Sequence, residues 1–264
     1  MLYTNKEYSL TKIMVVSALL LSLNLIIKIF TFTIPLAGIP AIQVGFGGSF
    51  LAFIGILFGP IYGGISAALS DIIGFLMNPK GAFLWPLTVV AFLKGFSIAF
   101  LWHFIKKINF KLYNFVYLLI FIGILILGLI NLIFIYFFET SPYAQFITTS
   151  SRITPISIGL AIAGSVGIFL HSITWFILYR NKKTELFEIY LRLLVCVGIP
   201  SVIFTTLNTF ILIEVFSISI PFIYFWLPRL IEEILIILFN TYLLIAIISV
   251  YEKIFKTRLT KGKV

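Results

Sequence analysis

The sequence predicts an all-α protein, a polytopic transmembrane bundle of about eight helices, and three observations carry that prediction. Of its 264 residues, 61% are hydrophobic and only 11% are charged, against roughly 25% charged in ordinary soluble domains. The mean hydropathy is +1.16. Apolar runs recur from one end of the chain to the other, most of them near the roughly 20 residues that one crossing needs, and they are divided by Pro, Gly and charged residues. Residues 1–264 therefore read as a single integral membrane domain.

The first helix is expected at 10–32, after a basic start at Lys6 and Lys12. A basic start before an apolar core resembles a signal peptide, but no small-residue cleavage site follows, so the helix is expected to be retained. Residues 33–48 carry Pro35, Gly38, Pro40, Gly45, Gly47 and Gly48 and cannot be regular helix throughout. Helices at 43–58 and 61–77 meet at Phe58-Gly59-Pro60. Both are short, which points to tilt or to burial within the bundle. Asn78-Pro79-Lys80-Gly81 and Trp85-Pro86 punctuate the next turn before a helix at 86–106. These two connections read as compact, partly apolar lids at a depth where irregular backbone lines a cavity. Helices at 113–138 and 155–180 follow, joined by 139–154, and then 187–214 and 221–251.

Eight crossings place both termini on one side. Lys12, Lys106, Lys107, Lys111, Arg180, Lys182, Lys183, Arg192 and the basic residues from Lys253 to Lys263 fall on that side, against Lys28, Lys80, Arg152 and Arg229 on the other. The positive-inside rule makes it the cytoplasmic face of a cell membrane. That bias accounts for the net charge of +10 without invoking a nucleic-acid partner.

Helical rise then sets the depth of each polar residue. Lys28, Asp71, Lys94 and Arg229 come out roughly 6 to 12 Å below the outer surface, with Glu232 and Glu233 one turn deeper. Ionisable groups are expensive in lipid, so this grouping describes a cavity open to the outside. Mutual pairing, Asp71 with Lys94 and Arg229 with Glu233, is the competing explanation. Gly63, Ala67, Asp71 and Gly74 share one face of their helix, which aims Asp71 into the bundle. His103 and His171 lack neighbours at ligand spacing, so no metal is expected. Cys196 sits in an apolar run as a small hydrophobe. No phosphate loop, His-Glu-x-x-His pair or Gly-x-Ser-x-Gly elbow occurs, so neither ATP hydrolysis by that loop nor other catalysis is expected, and no cofactor is called for.

The stretch Gly55-Ile-Leu-Phe-Gly-Pro60, then Gly63-Gly-Ile-Ser-Ala-Ala-Leu-Ser-Asp71-Ile-Ile-Gly74, Pro79-Lys-Gly-Ala-Phe83 and Pro86-Leu-Thr88, with Leu227-Pro-Arg229-Leu-Ile231 before the last helix, resembles the substrate-binding S component of energy-coupling factor (ECF) vitamin transporters, folate family. The resembling regions cover somewhat more than half of the chain. The resemblance implies a six-helix membrane subunit that captures a vitamin at its outer face and is energised by a transmembrane coupling subunit and two ATPase subunits. It places Ala18 and Ser22 at the small-residue positions that meet the coupling subunit, with Ser where Ala is usual. On this plan 1–112 and 184–264 form the core and 113–183 is an inserted helix pair.

A folate-like ligand suits the expected cavity. Asp71 or Glu232 can accept paired N–H donors of a pterin, and Lys28, Lys94 or Arg229 can hold a carboxylate tail. Lys80 in the outer turn joins these candidates. Phe30, Phe83, Trp85, Tyr224 and Trp226 stand near the level of a flat ring, with Trp85 the foremost for stacking. Another planar or anionic vitamin fits the same walls. A proton-coupled secondary transporter using Asp71 and Lys94 is the alternative class, although no inverted repeat of broken helices is visible.

Overall fold

The computed structural model describes residues 8–36, 39–79, 81–105, 110–148, 153–180 and 184–255. Helix α1 (Leu10–Ile29) leads into an antiparallel hairpin, β1 (Phe32–Leu36) and β2 (Ile39–Val44), followed by α2 (Gly48–Phe58), α3 (Pro60–Met77) and α4 (Trp85–Phe104). Then come α5 (Phe110–Phe137), the short α6 (Pro142–Thr148), α7 (Ile153–Arg180), α8 (Thr184–Val215) and α9 (Phe222–Phe255). Among the described residues, seven helices are long and apolar enough to cross a membrane, and α2 is the shorter eighth. The all-α transmembrane bundle expected from the sequence is what forms, with the hairpin added at one end.

Local chemistry explains the element boundaries. The Ser9 side chain caps α1 by accepting from the Lys12 amide at 3.4 Å. Gly59 has φ 111°, a conformation that disfavours side chains, and Pro60 opens α3 where its missing N–H costs nothing. The helix expected from residue 43 begins only at Gly48, because residues 39–44 pair with 32–36 instead. Pairing runs Phe32↔Val44, Thr33↔Gln43 and Ile34↔Ile42, then shifts between Ile34 and Leu36, where Pro35 has no amide hydrogen to donate.

Helix α2 is 11 residues long, about 16 Å, roughly half the thickness of a bilayer core. It can be so short because the chain enters the bundle before the helix begins. A Cβ on Gly47 would lie 2.2 Å from Asn24 Oδ1 of α1, and one on Gly48 would lie 3.3 Å from Asn240 Nδ2 of α9. The glycines thread the backbone between those two helices. Ala52, Phe53, Ile54, Ile56, Leu57 and Phe58 of α2 are then buried in the main core with Ile98, Trp102, Leu193, Val197 and Ile237. Helices α2, α3 and α4 approach closely at Gly55, Gly63, Gly95 and Ala99, the small-residue packing that membrane helices use in place of a hydrophobic drive.

Helices α5 and α7 pack on one another through Gly128, Gly164 and Gly167 and rest on the flank of α9 and α8. Ile156, Leu160 and Ala163 meet Ile231, and Tyr117 and Phe121 meet Leu238. His171 Nε2 bonds Asn114 Oδ1 at 2.6 Å across the pair, and Tyr242 of α9 donates to Leu170 O at 3.0 Å.

Candidate functional site

A cavity of about 250 Å³ opens beneath the base of the hairpin, lined from α1, α2, α3, α4, α8 and α9 and from Thr31, Gly45 and Gly47 of the connections. Among the described residues, none of α5, α6 or α7 lines it. Its walls combine apolar surface from Leu51, Ala52, Ile98, Val197 and Leu244 with Lys28, Asp71, Lys94, Asn24, Ser70, Ser201 and Asn240.

Lys28 stands in the last turn of α1, where a cation complements the helix dipole. Its chain lies across Gly74, at which a Cβ would fall 2.5 Å from the amine, and its Nζ donates to Ser70 O at 3.0 Å. One turn earlier Asn24 donates to Ser70 Oγ at 2.6 Å. Thr88 of α4 donates to Asp71 Oδ2 at 2.6 Å. Lys94 of α4 forms an ion pair with Glu233 of α9 at 2.8 Å, and Thr205 of α8 holds the other Glu233 oxygen at 2.8 Å.

These partners differ from the pairs expected from depth. Asp71 meets Thr88 instead of Lys94, and Glu233 meets Lys94 instead of Arg229. The spacing from Thr88 to Lys94 turns about 240° around the helix axis. One residue therefore faces α3 while the other faces α9, and depth alone does not reveal this. Arg229 is 8% exposed, lies over the Phe225 ring at 5.8 Å, and its Nε and Nη1 have no hydrogen-bond partner among the described residues.

The residues singled out from the sequence fall into groups. Lys28, Asp71 and Lys94 line the cavity, whereas Arg229, Glu232 and Trp85 do not. Arg229 shares the α9 face of Glu233, one turn away. Trp85 is 70% exposed at the start of α4. Lys80 lies outside the described residues. Ala18 and Ser22 are exposed on α1, with Ser22 Oγ donating to Ala18 O at 2.8 Å.

Sequence reasoning overlooked Asn24, Ser70, Ser201 and Asn240, all uncharged. A periodic signal does exist. Asn24 precedes Lys28 by one turn, Ser201 precedes Thr205 by one turn, and Asn240 follows Glu233 by two. Amines beside a carboxylate, with hydroxyls and amides on a mostly apolar wall, are the lining that small-molecule pockets carry.

Comparison with known proteins bears on what occupies it. A family model described as "ECF-type riboflavin transporter, S component" matches residues 9–174. The folate transporter FolT of Clostridium novyi (strain NT) is 43% identical over 54 residues, 20% of this chain and 31% of that protein. The match thus spans about a third of that relative's length. No solved structure matches significantly. The family match ends within α7, so the cavity residues of α8 and α9 lie beyond it.

Proposed function

Because the chain belongs to the family of S components of ECF-type riboflavin transporters, we propose that it is the high-affinity substrate-binding subunit of a vitamin uptake system and that its ligand is folate or a closely related planar, anionic vitamin. The observation that carries this reading is the cavity under the hairpin, where the amines of Lys28 and Lys94 and the carboxylate of Asp71 converge on apolar walls. Two amines favour a ligand with a carboxylate tail over one with a neutral tail. Arg229 stands one turn from Glu233, buried outside the cavity wall, with Nε and Nη1 unpaired among the described residues. Trp85, exposed at the start of α4, belongs to the mouth in this reading.

The hairpin end is the extracellular one. Lys12 at the start of α1, Arg192 early in α8 and Lys253 late in α9 cluster at the opposite end, which the positive-inside rule makes cytoplasmic together with both termini. Transport is driven from outside this chain by a transmembrane coupling subunit, docked along α1 at Ala18 and Ser22, and two ATPase subunits. The α5–α7 pair is an insertion flanking the ligand-enclosing core, in keeping with the absence of its described residues from the cavity wall.

Calorimetric titration of the detergent-purified protein with folic acid and riboflavin tests the substrate. Folic acid is expected to bind more tightly, and Lys28→Met is expected to weaken folic acid by about tenfold while leaving riboflavin unchanged. Binding of neither vitamin overturns the reading. Accumulation of folate in vesicles that contain this chain without the ATPases overturns the energising scheme and favours a secondary transporter.

A further inference from the structure

Glu233 of α9 stands behind the cavity wall. It is 8% exposed and does not line the cavity, yet its Oε1 lies 2.8 Å from Nζ of Lys94, which does. Thr205 of α8 donates to the other oxygen, Oε2, at 2.8 Å, so the carboxylate is anchored from a second helix and stays beside the amine. A buried ion pair gains little stability over apolar packing, and the consequence of this one falls on the cavity. Lys28 and Lys94 are balanced by Asp71 and Glu233, and Arg229 and Glu232 follow on α9 as a further pair of opposite sign. Without Glu233 the wall carries a net positive charge.

The distances show what the carboxylate does to a ligand. A ligand carboxylate seated on Lys94 Nζ at about 2.8 Å would come within roughly 4.5–5.5 Å of the Glu233 oxygen, and by inverse distance the repulsion removes about half of the attraction. A carbonyl or hydroxyl oxygen on the same amine carries no net charge and meets no such repulsion. An ammonium that spends one N–H on Glu233 keeps two more donors for it. Lys28 differs, because its amine donates to a backbone carbonyl, Ser70 O at 3.0 Å, which carries no formal charge. Resting on the substrate-binding reading above, we infer that Glu233 is a specificity-determining residue that acts through Lys94. It masks the charge of that amine, so that Lys94 donates to a neutral oxygen of the ligand and a carboxylate or phosphate tail is left to Lys28. Thr205 is the positioning residue that holds the mask in place.

Calorimetric titration of detergent-purified full chain with two ligand pairs that differ only in tail charge tests the assignment: folic acid against its tail diamide, and riboflavin 5′-phosphate against riboflavin. In whichever pair binds, wild type is expected to prefer the charged member by no more than about tenfold, the share of one amine. Glu233→Gln is expected to tighten the charged member about tenfold and to leave the neutral member unchanged, a gain that loss of packing cannot produce. Adding Lys94→Met to Glu233→Gln is expected to abolish the gain. The inference is overturned if Glu233→Gln weakens both members alike or gives no gain, or if the gain survives removal of Lys94. A wild-type preference well beyond tenfold also overturns it, and that arm requires no variant to fold. Binding of no member of either pair by wild type instead overturns the functional reading on which the inference rests.

Discussion

Removing the Lys94 amine while leaving Glu233 in place should destabilise the bundle more than removing both charges. Their atoms are 2.8 Å apart, with side chains 31% and 11% exposed. Stranding one member of a buried ion pair costs about 3–5 kcal/mol. Here Thr205 still holds one Glu233 oxygen and Lys94 is partly open to the cavity, so about 2–3 kcal/mol is expected for Lys94→Met. For a chain of this size that corresponds to a melting shift of roughly 5–10 °C. The double substitution Lys94→Met with Glu233→Gln leaves no uncompensated charge and should return to within about 1 kcal/mol of wild type. Melting of the two single variants and the double variant, followed in detergent without ligand by size-exclusion recovery, gives the coupling energy directly. The reasoning is refuted if Lys94→Met melts with wild type, or if the double variant loses the sum of the two single losses.

Three further substitutions probe the scaffold. Gly95→Ala places a Cβ 2.6 Å from Gly63 O and 2.8 Å from Ala67 Cβ, so it should separate α3 from α4, cost about 1–3 kcal/mol and lower the melting temperature. Gly74→Ala first meets the flexible end of Lys28; stability should stay within about 1 kcal/mol of wild type while ligand affinity measured by calorimetry falls several-fold as the amine is displaced. Thr88→Val removes the bond to Asp71 and should cost about 1–2 kcal/mol, with Thr88→Ser restoring most of it in the same melting assay.

The limits of reading the site from the sequence trace to one missing coordinate. Depth along a helix follows from residue count, and it gathered Lys28, Asp71 and Lys94 at one level, where all three line one cavity. The azimuth of a side chain matters only against the neighbouring helix, whose crossing angle the residue count does not contain. That is why Lys94 was matched with Asp71 when its partner is Glu233. Uncharged Asn24, Ser201 and Asn240 were overlooked for a related reason. Each adds little to the polarity of an apolar run, and each becomes conspicuous only when folding removes it from water.

Composition and punctuation by themselves determined the solvent, the all-α class, the sharp turn at Gly59-Pro60 and the order of the crossing helices. These depend on transfer free energies and local backbone sterics, both properties of short stretches of chain. Tertiary structure alone decided that residues 39–44 close a hairpin with 32–36 and that α2 begins deep between α1 and α9. It also decided that the described residues of α5 and α7 stand aside from the cavity. Those outcomes depend on which surfaces meet across long separations in sequence, where the fit of Gly47 against Asn24 or Gly48 against Asn240 is set by three-dimensional packing.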